Sequence, residues 1–157
     1  ERFPCRDCPQ EGELASITGE MEVGRPKSAY DSNLLGVVST APALTLSSEL
    51  DKDKSTPIAL SGRVPTRVNS EGGKIKPGDP LTSSNEPGVA KKATASGRVV
   101  GLALESFSAD EGVIEVFINP HNLPKESQDE LKMTDKETGE EYCIELRGGE
   151  FVKEKCE

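Results

Sequence analysis

An all-β fold, a compact barrel or sandwich of short strands followed by a separate C-terminal β-hairpin, is what this chain of 157 residues predicts. Hydrophobic residues make up 33% of it and aromatics 4%, with no Trp, so the core must be built from Val, Ile, Leu and Ala in thin layers. The 11 Pro and 15 Gly leave few windows of a dozen residues without a breaker, which excludes long helices. The remaining apolar runs are β-branched and bounded by Gly, Pro, Asn or Asp, as short strands are.

Four zones follow. Residues 1–27 form a lead-in segment with a CxxC motif and two short alternating stretches, "GELASI" and "MEVG", suited to edge strands. Residues 28–120 are the β-rich body, with strands expected at 34–40, 57–68, 97–104 and 113–118. Their inward side chains are expected to be Val37, Ile58, Leu60, Val64, Val99, Leu102, Val113 and Phe117. Between Thr45 and Thr56 the chain is a polar loop. Residues 121–136 read as a linker with one helical turn after Pro124, and residues 137–157 as the hairpin, turning at Gly148 and Gly149. Gly62, Pro77, Gly78, Asp79, Gly88 and Gly97 are the expected turn residues of the body.

Charge and length exclude several function classes. The net charge is −9 at pH 7, which argues against a phosphate-backbone ligand, whose binding needs clustered Lys and Arg. Residues 121–157 hold eleven acidic against six basic side chains, a net of −5, so more than half of the charge sits in this last quarter. No apolar run reaches the roughly 20 residues that span a bilayer. The first residue, Glu1, is not Met, which reads as a fragment or a processed product.

The four cysteines lie at the two ends: Cys5 and Cys8, then Cys143 and Cys156. Two tight pairs would suit a zinc ribbon, but twelve residues separate Cys143 from Cys156, so no metal site is assigned. A two-residue turn at Gly148-Gly149 sets Leu146 opposite Phe151 and Cys143 opposite Glu154, placing Cys156 diagonally on the same side as Cys143. The expected disulfides are therefore Cys143–Cys156 and, for what remains, Cys5–Cys8. Disulfides imply an extracytoplasmic setting, extracellular or at a cell surface. No thioredoxin-like pattern surrounds "CRDC" to make it redox-active.

The stretch "IKPGDPLTSSNEPGVAKKA", Ile75 to Ala93, is the one that looks most like an active site. A Ser-Lys dyad needs a serine against a buried lysine of depressed pKa. Ser83 and Ser84 precede a turn, and Lys91 and Lys92 are adjacent and so point to opposite faces of a strand. The stretch is therefore expected to be a double turn at the surface. His121 is the sole histidine and lies in "NPHNLP", a poor place for a triad. "SEGGKIK" lacks the Walker spacing. Asp51, Asp53 and Ser55 begin like a calcium loop, but Thr56 and Gly62 stand where its glycine and bidentate glutamate belong. No cofactor is implied.

The segments "AYDSNLLGVVSTAPALTL", "PIALSGRVPTRV", "IKPGDPLTSSNEPGVAKKA", "GRVVGLALE" and "GVIEVFINP", in this order over roughly Tyr30 to Pro120, resemble a β-rich module. It is found near the C-terminal ends of long extracellular fibres, in bacterial surface proteins and in phage tail-fibre or appendage proteins. The terminal "TGEEYCIELRGGEFVKEKC" resembles cysteine-paired hairpins appended to similar surface proteins. The resemblance implies a structural, oligomerising and often trimeric role, with further copies or other fibre subunits as partners. It also implies a rival, since similar fibre-end modules act as intramolecular chaperones that cut themselves free. For that reaction Asp31, Ser32 and Asn33 are the one compact candidate, and a plain Asx or Ser turn before Leu34 is the competing reading. Glycan binding is a third reading, ranked lower because Tyr30, Tyr142 and four Phe give few stacking platforms.

Overall fold

The computed structural model describes residues 1–41, 46–47, 49–124, 131–147 and 150–155 and is all-β. Two compact units make up the chain, Glu1–Leu123 and Pro124–Glu157. Among the described residues no helix is long and apolar enough to cross a membrane.

The first unit opens with five strands, β1 (Arg2–Pro4), β2 (Leu14–Gly19), β3 (Glu22–Gly24), β4 (Leu34–Val38) and β5 (Ser55–Ala59). They form one antiparallel sheet in the order β1-β5-β4-β2-β3. Five more strands, β6 (Gly62–Asn69), β7 (Pro80–Ser83), β8 (Ala90–Lys92), β9 (Gly97–Ala103) and β10 (Glu111–Leu123), close into a barrel in the order β10-β6-β8-β7-β9. All its pairings are antiparallel except the seam between β6 and β8, where Val68 meets Ala90 in parallel.

Alternation explains why these staves close. Along β6, Val64, Thr66 and Val68 point into the core while Arg63, Pro65 and Arg67 point out. One core cluster joins Leu14, Leu34 and Val37 of the sheet to Val64, Val68, Leu81, Val100 and Ile118 of the barrel, so the sheet and the barrel share an interior. A second cluster, of Cys5, Ala15, Val23, Val38 and Ile58, lies within the sheet region. The Cys5–Cys8 disulfide closes the loop beside it, and Phe3 packs there too. Residues 1–27 are thus integral to the first unit rather than a separate lead-in, and β2 is an interior strand because "LAS" is buried on pairing with both β3 and β4.

Three expectations about the strands are corrected. The predicted strand 57–68 breaks at Leu60-Ser61, where Gly62 takes a φ of +101° that L side chains rarely adopt. Val37, Ile58, Val64 and Val99 are buried, but Leu60, Leu102, Val113 and Phe117 are exposed. In β10 the inward residues are instead Ile114, Val116 and Ile118, one position out of phase with the expectation. The stretch 75–93 makes both expected turns, at Pro77-Gly78 and at Pro87-Gly88, but the strands that follow them are not at the surface. Only Lys76-Pro77-Gly78 is exposed at its first turn, whereas Leu81, Thr82, Ser83, Ser84 and Ala90 have no exposed surface. The two strands of this stretch are neighbouring barrel staves.

The second unit is a three-stranded antiparallel sheet of β11 (Leu131–Thr134), β12 (Glu141–Arg147) and β13 (Glu150–Lys155), in that order. The hairpin register sets Leu146 opposite Phe151 and Cys143 opposite Glu154. The expected linker 121–136 is divided: residues 121–123 finish β10, and 131–134 pair with β12 as a third strand that an isolated hairpin would lack. Cys143 is buried and is not a free thiol. Cys156, Gly148, Gly149 and the helical turn expected after Pro124 lie outside the described residues.

Candidate functional site

The polar groups that the sequence singles out meet where the loop before β4 crosses β7 and β8. Ser83, wholly buried, is the splint. Its hydroxyl donates to the Ser28 carbonyl at 2.8 Å and accepts from the Asp31 N–H at 2.8 Å, while its carbonyl accepts from the Tyr30 N–H. The next residues turn locally: Asp31 Oδ1 accepts the Asn33 N–H at 2.8 Å, and the Leu34 N–H reaches the Asp31 carbonyl. Asp31, Ser32 and Asn33 therefore form an Asx turn, with Ser32 and Asn33 exposed to solvent.

Tyr30 anchors the same loop from a positive φ of 55°. Its phenol oxygen accepts the N–H groups of Thr94 at 2.8 Å and Ala95 at 3.0 Å and shares a hydrogen bond with the Thr94 hydroxyl. Burial alone would raise its pKa, but these bonds and the charge of Lys91 outweigh burial and lower it. Lys91 Nζ stands 5.0 Å from the centre of the Tyr30 ring, a cation–π contact, and 2.6 Å from Glu71 Oε1. Glu71 also accepts the backbone and side-chain N–H groups of Asn85, each at 2.8 Å. Burial opposes its charge, yet the Lys91 and Asn85 bonds hold its carboxyl below its ordinary value.

Each member of the suspected dyad is thus committed to structure. Ser83 pairs in register with Ala90 and Thr82 with Lys91, so Ser83 and Lys91 sit at successive positions across the ladder and face opposite ways. Ser84 donates to the Val89 carbonyl at 2.9 Å and accepts from Asn69 Nδ2. Lys92 reaches Asp79 at 2.8 Å, and that bond, with the Lys76 N–H, lowers the Asp79 pKa. Pro77, Gly78 and Asp79 form the turn into β7; Gly88 (φ +78°) closes the turn into β8, and Gly97 begins β9 against the Tyr30 ring. His121 Nδ1 bonds the Asn119 carbonyl at 2.7 Å. Asp51 caps the 3-10 turn Lys52–Lys54 by accepting the Asp53 N–H, a local role for the residue that resembled a calcium ligand.

One cluster escaped the sequence reading. Glu13, with 6% of its side chain exposed, binds Arg25 Nε at 2.7 Å through Oε2 and Arg67 Nη1 at 3.0 Å through Oε1, and it also accepts the Gln10 N–H. Arg25 continues to Asp7 at 2.9 Å. Burial would lower the Arg25 pKa, but its bonds to Asp7 and Glu13 raise it. This carboxylate bolts the sheet to the outward edge of β6. No family model matches the chain, and no curated protein matches it.

Proposed function

We propose that the chain is a non-enzymatic structural module of an extracellular assembly, a surface fibre or a tail-like appendage, and that it works by self-association. The observation that carries this reading is the commitment of Ser83, Ser84, Lys91 and Glu71 to bonds that hold one loop and two barrel staves together. A catalytic pocket needs converging groups left available to a substrate. The Cys5–Cys8 disulfide fits an oxidising compartment. Glycan binding has less support, because the Tyr30 ring is already covered by Lys91 and Gly97.

Native mass spectrometry of the longest natural precursor, made in an oxidising compartment and weighed before and after reduction, tests the proposal. The expected result is an uncut oligomer whose chains each gain about four mass units, two per reduced disulfide. A cut between Asp31 and Asn33 that Ser32→Ala abolishes would replace the proposal with a self-processing chaperone.

A further inference from the structure

We infer that the Cys5–Cys8 disulfide is a redox-operated latch, opened by attack of a dithiol on Cys8, and that its state sets how firmly β3 and the Arg25 ion pairs are held. The inference stands apart from the assembly reading above, since it concerns a switch inside the fold. The two sulfurs are unequal. Cys5 is buried, with 6% exposure, in the cluster of Ala15, Val23, Val38 and Ile58. Cys8 is half-buried and lines a cleft of about 410 Å³ together with Gln10, Thr56 and Pro57. Of the charged side chains lining that cleft, Arg2 and Lys52 are cationic and Glu11 anionic, so the lining favours an anionic thiolate in a chain whose net charge is −9. An incoming thiol reaches one sulfur and not the other.

The exchange balances with the dithiol as reductant. Its thiolate bonds to Cys8 Sγ, the Cys5–Cys8 bond breaks, and Cys5 departs as a thiolate that takes up a proton. The second thiol then attacks the mixed disulfide, which frees Cys8 and closes a disulfide within the reductant, so two electrons have passed to the chain. Folding does little to oppose this, because closing a ring of so few residues constrains the unfolded chain only slightly.

Opening the ring acts on the ion pairs next to it. Arg6 and Asp7, the two residues inside the ring, both reach towards β3: Arg6 Nε pairs with Glu22 at 3.2 Å and Asp7 with Arg25 at 2.9 Å. The Arg6 and Asp7 side chains are largely exposed, and exposed pairs are worth little unless their geometry is fixed beforehand. The disulfide fixes it. Arg25 is shared, since its Nε also holds Glu13, which reaches Arg67 of β6. Reduction therefore unpins Arg6 and Asp7, loosens the three-residue edge strand β3, and leaves Glu13 as the acid that holds Arg25.

Alkylation and hydrogen exchange of the whole folded chain, before and after dithiothreitol, test both halves of the inference. Trypsin cuts after Arg6, so Cys5 and Cys8 fall on separate peptides and the cysteines of the second unit do not enter. In the reduced chain a short pulse of iodoacetamide should alkylate Cys8 about tenfold faster than Cys5. Exchange over residues 22–25 should quicken about tenfold, while that over β7 and β9 stays as it was. The Cys5→Ser, Cys8→Ser variant, which cannot close the ring, should exchange over residues 22–25 like the reduced wild type, and Asp7→Asn should reproduce part of the quickening in the oxidised chain. Equal alkylation of the two cysteines would overturn the one-sided attack, and unchanged exchange over residues 22–25 on reduction would overturn the latch. Global unfolding of the first unit on reduction would overturn it too, because the bond would then be a permanent staple rather than a switch between two folded states.

Discussion

Glu13 shows how much a single buried charge can hold. A carboxylate with 6% exposure is sustained only by partners, and Arg25, Arg67 and the Gln10 N–H supply them. Glu13→Ala should cost about 2 kcal/mol in urea unfolding, less than the roughly 3–5 kcal/mol of a fully buried pair, because Arg67 is half exposed and water can take over its contact. Glu71 and Asp79 carry a pH dependence. Both carboxyl groups have folded pKa values below their ordinary ones, through Lys91 and Asn85 for Glu71 and Lys92 for Asp79. Their stabilisation is fully present above the ordinary carboxylate range, from about pH 5 upward, and is lost as pH falls through the lowered folded values. Thermal midpoints taken downward from pH 5 should drop, and the Lys91→Met, Lys92→Met double variant should flatten that slope. None of these partners was legible in the sequence. Glu13 and Arg67 are 54 residues apart, and no local pattern announces a pair at that distance.

At the level of strands, the sequence spoke clearly about type and poorly about phase. Short β-branched runs between glycines and prolines form strands nearly where expected, but the phase expected for β10 is one residue off. The signal that would have corrected it is Glu115, which alternation places on the same side as Val113 and Phe117 and which belongs in water. Both sides of "VIEVFI" are otherwise apolar, so apolar alternation alone leaves the phase open. Glycines separate two kinds of constraint. A Cβ on Gly62 would meet nothing within 4 Å, so Gly62→Ala should cost only the left-handed backbone, about 1 kcal/mol. A Cβ on Gly101 would collide with the Phe117 carbonyl oxygen of the paired stave, so Gly101→Ala should be several times more destabilising and should perturb the β9–β10 pairing. Chemical denaturation of the two variants side by side checks the ordering.

For the molecule as a whole, the all-β class followed from composition, while closure of the barrel did not. Its seam is a parallel contact between Val68 and Ala90, and the strands that flank it are joined through β7 and β10 by pairings of quite different loop lengths. Turn chemistry predicts hairpins; it has nothing to say about which distant strands complete a cylinder. The disulfide belongs to this scale too. It spans a loop of only a few residues, so the chain-entropy effect is modest, and replacing Cys5 and Cys8 by Ser should lower stability by roughly 2 kcal/mol without unfolding the protein at room temperature. A thermal melt of the double variant reads that loss.

Strand β10 lies between β6 and β9 and is the last stave in the chain to be made. On the ribosome, everything from residue 62 to residue 110 must therefore wait with two open strand edges and an uncovered valine-rich interior. The interval before Glu111 to Leu123 emerges is when a nascent chain is most exposed to pairing with its neighbours on a polysome. A secretion route that keeps such chains unfolded until they are released would spare them that hazard.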